Sequence, residues 1–392
     1  MFKWSNTLQL RTTTNSAPDE IASAKRKAPG LLSDSKKGVS TVNESTLRNL
    51  STATELVDLD DNQIRHLLSD LHRVSAPRYW CDLLLTATLG WIAFYAAVVL
   101  HPFSWGMLGA AAAAALLLYR ALCFIHEISH QSQRTLPRFE TIWNVLIGYP
   151  LLMPSFAYVG VHGDHHKIST YGTSADPEYL PFARSSGMTT AFALESILIP
   201  AILLIRFLIL APIGFVWPRF ENWLIVHASS LTMNVHYCRT VTPALLNRVR
   251  LHSMGVLLIW APVMALLIAG ILPWRVLAIW FGVSATASFI NTMRTLGAHA
   301  YESSGEPLDR KGQLLDSIDT PGQFWTELWA PVGLRYHALH HYFPGIPYHN
   351  LSQAYRRLMS APPLSNAYRN MSSPSLPHSL RSLYVKGLRT WK

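Results

Sequence analysis

The chain has 392 residues, of which 49% are hydrophobic and only 14% charged; with a mean hydropathy of +0.17, a length that allows two or three soluble domains reads instead as one membrane-embedded unit. A net charge of +10 and a pI near 9.6 suit an anionic surface, and because the basic residues flank apolar runs that surface is a lipid bilayer, which leaves no case for a nucleic-acid partner. The three cysteines, Cys81, Cys123 and Cys238, form no CxxC pair and lie in or near apolar runs, so they are expected as buried small side chains and not as a disulfide framework or thiolate metal site.

In chain order, residues 1–55 are rich in Ser, Thr, Asn and Lys without a periodic apolar face and are expected to be disordered. No apolar stretch follows the basic start, so no signal peptide is expected. Residues 56–78 predict a cytosolic amphipathic helix, with Ile64, Leu67, Leu68 and Leu71 at helical spacing, packed on the main domain. Residues 79–360 form the membrane domain and 361–392 a C-terminal tail.

Four segments, about 80–100, 105–125, 254–272 and 276–297, approach the ~20 apolar residues that a ~30 Å hydrocarbon core requires. The short HPFSW connection and the turn at Pro273 make them two helical hairpins. Two further apolar stretches are broken, 141–160 by Pro150 and Pro154, and 190–217 by Pro200, Arg206 and Pro212. These two are expected to lie in the interface, to re-enter, or to pack over the protein. The fold class is therefore an all-α integral membrane protein with about four transmembrane helices, interfacial helices and a cytoplasmic helical metal-binding domain.

Nine histidines impose that topology. His126 and His130 stand in HEISH, His162, His165 and His166 in HGDHH, His299 in RTLGAH, and His337, His340 and His341 in HALHH. Spacings of i, i+3 and i+4 project imidazoles from one helix face toward a common point. Nine donors exceed the four of a structural zinc or the three of a catalytic one, so two metal ions are expected, and donor type alone leaves their identity open. All ligands of one site must emerge on one side of the membrane, so 141–160 cannot cross. Arg134, Arg138, Lys167, Arg184, Arg239, Arg248 and Arg250 fall on that side and only Arg275 on the other, which places the metal site on the cytoplasmic side of a multi-pass protein. His66, His72, His101, His227, His236, His252, His349 and His378 are expected to take no part in ligation; of these His349, just beyond the third box, is either an outer partner or a surface residue.

The boxes HxxxH, HxxHH and HxxHH, the single histidine before the third, and the runs NTMRTLGAH and HHYFPGIPYHNL resemble the membrane fatty acyl desaturase family and its hydroxylase relatives over roughly residues 78–360. The resemblance implies two iron ions held by the nine histidines, use of O2, and oxidation of an acyl chain by desaturation. Hydroxylation or acetylenic-bond formation on the same site is the alternative. It also implies an acyl-lipid, acyl-CoA or acyl-carrier-protein substrate. No haem-binding HPGG sequence or cysteine cluster is present, so the electron donor is an external ferredoxin, cytochrome b5 or rubredoxin-type carrier.

Metal-bound imidazoles usually donate their other N–H to a carboxylate or carbonyl. Asp164, Asp176, Glu178 and Glu327 are candidates for that role, with Glu127, Asp316 and Asp319 also near the boxes. Asn291 and Thr295 lie at the end of the fourth span; some family members carry asparagine where this chain has Thr295, leaving open whether water or Thr295 completes the second metal's surroundings. Trp325 and Trp329 are candidates either for an apolar tunnel or for interfacial anchoring. A zinc-dependent membrane hydrolase and a non-enzymatic scaffold are the readings from other classes.

Overall fold

In the computed structural model, residues 61–361 and 368–390 are described, and among them every regular element is a helix, with three isolated β-bridges. The segment expected to be disordered, 1–55, lies outside the described residues.

Helix α1, Asp61–Leu68, tightens into a 3₁₀ turn through His72 and stops there, whereas the sequence suggested one helix to 78. A new helix begins there instead: Pro77 sits in the first turn of α2 (Ala76–Val99), where its missing N–H costs nothing, and Ser75 before that helix is extended. Short HPFSW then turns the chain into α3 (Trp105–His130), whose first turn is capped by the Ser104 hydroxyl accepting from the Met107 N–H at 3.1 Å. The two helices approach closely where Gly90 faces Leu118: an added Cβ would stand 2.7 Å from Leu118 Cδ2. Small residues permit such approach between membrane helices.

Beyond α4 (Phe139–Trp143) the chain leaves α-helical form, first in a π-type turn over Asn144–Gly148 and then in an irregular bend to Ala157. This is the interrupted stretch 141–160, and it runs down between the long helices and back. Three indole N–H groups hold its lower part: Trp91 donates to the Leu146 carbonyl at 2.9 Å, Trp260 to that of Tyr149 at 3.1 Å, and Trp280 to that of Pro150 at 2.9 Å. Each of these tryptophans lies roughly 22–25 Å along its own helix from the end near the histidines, at about 1.5 Å per residue. Carbonyls freed by the non-helical backbone therefore find donors inside the protein, the condition for irregular backbone at such depth. The segment returns to α5 (Val161–His165), which carries the second box.

The stretch Ser186–Val216, α6, is one long helix with 3₁₀ and π turns in it. Pro200 and Pro212 do not interrupt it as the sequence suggested, because each falls in the first turn of a new α segment after an irregular turn has released the amide that proline lacks. Its start lies against α13 (below), where Gly387 touches the backbone of Ser185 and Ser186. Further along, Arg206 Nε donates to the Ala228 carbonyl, beyond the end of α7 (Pro218–His227).

The second hairpin is α8 (Pro243–Ile268) and α9 (Arg275–Leu296). Helix α8 starts eleven residues before the expected span, capped by Thr242 accepting from the Leu245 N–H at 3.2 Å, and its extra turns carry Arg248 and Arg250, paired with Glu140 and Glu221. Among the described residues five helices, α2, α3, α6, α8 and α9, are thus long and apolar enough to cross a membrane. They present exposed apolar rows such as Leu85, Ile92 and Tyr95 on α2 and Leu251, Met254 and Leu258 on α8, the surface of a multi-pass membrane protein.

After α9 come α10 (Arg310–Asp316), α11 (His337–Tyr342), α12 (Tyr348–Met359) and α13 (Leu376–Arg389). Ile64, Leu68 and Leu71 of the N-terminal helix pack with Leu351, Ala354 and Leu358 of α12 in one buried cluster. The C-terminal segment is no loose tail, for α13 docks through Leu376 on Gly297 and through Gly387 on Ser186. Of the cysteines only Cys123 is buried; Cys81 is exposed on α2, because a membrane helix turns apolar side chains outward as readily as inward, and Cys238 is exposed in the connection between α7 and α8.

Candidate metal centre

Four elements bring the nine histidines together. Helix α3 supplies His126 and His130 from successive turns, α5 and the residue after it supply His162, His165 and His166, the third residue after α9 is His299, and α11 supplies His337, His340 and His341. They gather into two sets, His126, His130, His162 and His340 in one and His165, His299, His337 and His341 in the other, with the candidate ligand atoms of each set within 4.8 Å of one another. His166 joins neither foursome but bridges them. Its Nε2 lies 3.0 Å from that of His162, and its ring stacks on His341 with centroids 4.3 Å apart. None of the eight other histidines expected to take no part enters either set.

Outer partners fix the tautomers. Asp176, fully buried, accepts from His165 Nδ1 at 2.8 Å and from the Gly172 and Glu178 amides at 2.9 Å each. Glu178 faces His162 Nδ1 at 2.9 Å, beside the Tyr158 hydroxyl at the same distance from that nitrogen. Tyr171 gives its hydroxyl proton to Asp316 at 3.1 Å, so the His299 Nδ1 at 3.0 Å must be the donor to the Tyr171 oxygen. In all three rings Nδ1 carries the proton and Nε2 turns a lone pair inward, the state a metal ligand needs. His165 Nε2 and His126 Nε2 are buried without any hydrogen-bond partner. Buried orphan acceptors of this kind are costly, and a pair of cations answers the deficit. The donor set fits iron, which accepts imidazole readily.

Burial, then mutual repulsion with neighbouring imidazoles, holds His162, His166, His340 and His341 well below the ordinary histidine range. Neutral rings are the ligating form. His165 alone is pushed upward: burial opposes its charge, but Asp176, Glu178 and Asp316 outweigh it. Burial also pushes the Glu178 carboxyl up to about 7, with Asp176 adding to the effect and His165 opposing it.

Of the predicted outer partners, Asp176 and Glu178 meet imidazoles and four others do not. Asp164 binds Lys167 and the Tyr237 hydroxyl; it follows Gly163 on the outer face of α5, away from the cluster. Glu327 pairs with Arg120 at 3.0 Å and Arg335 at 3.4 Å and is half-exposed. Asn291 and Thr295 both bond Arg294 instead of a ring. Trp325 is half-exposed, while the Trp329 carbonyl accepts from the Tyr119 hydroxyl at 2.9 Å.

Two carboxylates that the sequence marked only by their nearness to the boxes hold the helices in place. Asp319 accepts from the Ala338 and Leu339 amides at 2.7 and 3.3 Å and from the Tyr368 hydroxyl at 2.6 Å, and so sets the first turn of α11. Glu127, buried between His126 and the next turn, accepts from the Tyr79 hydroxyl and from the Tyr348 amide at 3.1 Å, locking α3 to α2 and α12. Tyr171 and Tyr158 could be found only through their contacts, since nothing in TYGTSADPEY or FAYVGVH marks them.

Comparison with known proteins agrees with this geometry. The sequence profile of the fatty acid desaturase family matches residues 102–373. A ceramide hydroxylase of Caulobacter vibrioides (strain NA1000 / CB15N) is 37% identical over 324 residues, 82% of this chain and 92% of that protein.

Proposed function

This chain belongs to the fatty acid desaturase family, and from that premise we propose that it is an O2-dependent oxidoreductase that hydroxylates the aliphatic chain of a ceramide-like lipid at a two-iron centre. The observation that carries the proposal is the pair of four-imidazole sets with lone pairs turned inward. The nine histidines are the proposed ligands. Hydroxylation takes precedence because the relative matched over most of its length is a ceramide hydroxylase. Desaturation, the expectation from the histidine boxes, is the second reading, and the family name supports it.

When bound, the two irons supply O2 activation and removal of hydrogen from an unactivated carbon. Hydroxylation puts one oxygen atom into a C–H bond and reduces the other to water with two electrons and two protons; desaturation has the same electron demand and releases two waters. An external ferredoxin, cytochrome b5 or rubredoxin-type carrier supplies the electrons, and the basic residues around the site would steer an acidic carrier. The chain's own residues orient and enclose. Asp176, Glu178 and Tyr171 hold imidazoles in one tautomer, while Glu127 and Asp319 fix the helices that bear them. The tryptophan-bonded bend below them excludes water from the membrane side.

For topology, the proposal is that α2, α3, α8 and α9 cross the bilayer with the histidines on the cytoplasmic side, that 139–160 re-enters, and that α6 lies along the cytoplasmic interface. Two contacts of α6 support this, because its start is tied to α13 near the Gly297 end of α9, and its Phe207 touches Phe156, which touches His252 in the first half of α8.

The test is mass spectrometry of lipids from a ceramide-containing host expressing the protein or its His340→Ala variant. A product one oxygen heavier, lost in the variant, supports hydroxylation; one two hydrogens lighter moves the reading to desaturation. Unchanged conversion by the variant would refute the ligand assignment.

A further inference from the structure

Between α10 and α11 the chain makes a short 3₁₀ helix, Phe324–Leu328. Three of its five side chains are large, apolar and exposed: Phe324 by 82%, Trp325 by 49% and Leu328 by 54%. Phe324 and Trp325 meet edge to face with ring centroids 5.0 Å apart, and in a 3₁₀ helix residues three apart lie on one side, which sets Leu328 beside Trp325. The three form one apolar patch on the last stretch of chain before the third histidine box.

This turn is fixed to the flank of the α2–α3 hairpin. The Tyr119 hydroxyl donates to the Trp329 carbonyl at 2.9 Å, and Arg120 Nη1 donates to Glu327 Oε2 at 3.0 Å. Arg120 also donates from Nε to Asp82 Oδ1 at 3.0 Å, and Arg335 pairs with Glu327 at 3.4 Å, so two guanidiniums face two carboxylates in one neutral group. The far-side turn is marked by the exposed aromatic residues Phe103 and Trp105, as a membrane interface is. Arg120 lies roughly 22 Å along α3 from Trp105, and Asp82 roughly 26 Å along α2 from Val99. Both fall short of the ~30 Å that a hydrocarbon core spans, and charges at such depth are found paired with one another.

We propose that Phe324–Leu328 is a wedge inserted into the bilayer on the histidine side, with Phe324, Trp325 and Leu328 against lipid acyl chains near the headgroup boundary. This rests on the crossing of α2 and α3 proposed above. The patch adjoins the lipid-facing surface of α2, where Leu85 and Leu89, three and seven residues beyond Asp82 on the same face, are exposed. Its irregular backbone meets the demand of a site poor in water: the Trp329 and Ala330 amides both donate to the Thr326 carbonyl, at 3.2 and 2.9 Å, and the Trp329 carbonyl has Tyr119. A soluble partner recognised by charge would find little to bind, because the ions beside the patch are already paired.

The experiment places a nitroxide label on single cysteines introduced into the full-length protein carrying Cys81→Ser and Cys238→Ser, the buried Cys123 being left in place, in phosphatidylcholine–phosphatidylglycerol vesicles. Relaxation of the label by O2, which concentrates in hydrocarbon, is compared with relaxation by a water-soluble nickel chelate. Phe324→Cys and Leu328→Cys should match Leu85→Cys, with a severalfold higher ratio of O2 to nickel effect than at Glu306→Cys in an exposed loop. Nickel access equal to that at Glu306→Cys would overturn the wedge. Shielding from both reagents would overturn it in favour of a protein surface covering the patch, whether a second copy or another part of this chain. Nickel access at Leu85→Cys as well would refute the crossing of α2 instead, so the two failures are distinct. If the labelled proteins do not assemble, Trp325→Phe decides: the fluorescence it removes should be fluorescence that acyl-brominated lipids quench in the wild type, and an unquenched Trp325 refutes the insertion.

Discussion

Replacing Asp176 with Asn tests how the protein prepares its proposed metal ligands. The carboxylate accepts three hydrogen bonds, from His165 Nδ1 and from the amides of Gly172 and Glu178, and is fully buried. Asparagine has nearly the same shape but one acceptor oxygen, so one of those N–H groups must face its NH2. The relief open to His165 is to move its proton to Nε2, which points into the set with His299, His337 and His341. Loss of such an outer carboxylate typically weakens metal binding 10–100-fold, or about 1.4–2.7 kcal/mol at 1.36 kcal/mol per decade. The other set does not touch Asp176, and Glu178 still holds His162. Iron per chain, measured during chelator competition, should therefore fall from two toward one, with the protein still monodisperse and folded. An Asp176→Asn protein that keeps both irons with wild-type chelator resistance would refute the claim that this carboxylate sets the tautomer.

Glu178→Gln should produce the complementary loss, from the set that contains His162, visible as a different residual iron spectrum. Tyr171→Phe removes the hydroxyl linking His299 to Asp316 and should weaken iron retention without changing the helical content seen by circular dichroism. Trp280→Phe strips the Pro150 carbonyl of its donor and should cost about 1–3 kcal/mol, read as a lower melting temperature in detergent. Gly148→Ala should destabilise by a similar ~1–3 kcal/mol, since its Cβ would stand 2.8 Å from Asn144 Oδ1 and 2.9 Å from Trp143. Burial pushes the Asp319 carboxyl up to about 7, against hydrogen bonds from Tyr368, Leu339 and Ala338 that lower it. An unfolded aspartate titrates near ~3.9, so between about pH 4 and 7 the folded protein holds a proton the unfolded chain has released, and stability should fall as pH rises through that window. Asp319→Asn should flatten this slope in melting curves, and an unchanged slope would assign it to other groups.

Much of the fold was legible in the sequence because its determinants are local. Apolar length marked α2, α3, α8 and α9, and the HPFSW and Pro273 turns paired them. Parity of the histidine boxes barred 141–160 from crossing, and the structure turns that stretch back on itself. Proline misled at α6, where irregular turns release the amides that prolines cannot donate.

What the sequence by itself determined is the donor inventory. Spacings of three and four put imidazoles on helix faces whatever the rest of the chain does, and their number called for two metals. Tertiary structure alone decided how those donors divide. His162 and His165 stand one turn apart on the same short helix yet enter different sets, because the division depends on where α3, α11 and the end of α9 meet α5. It also decided which carboxylates count. Asp164 and Glu327 are as near the boxes in sequence as Asp176 and Glu178, but their side chains face Lys167 and Arg120. Arg294 is a charge in the last turn of a membrane-length helix. Only the packing of Tyr119, Tyr158 and Asn291 around it makes it a buried cation beside the site, since burial is a property of what surrounds a residue and no spacing rule contains it.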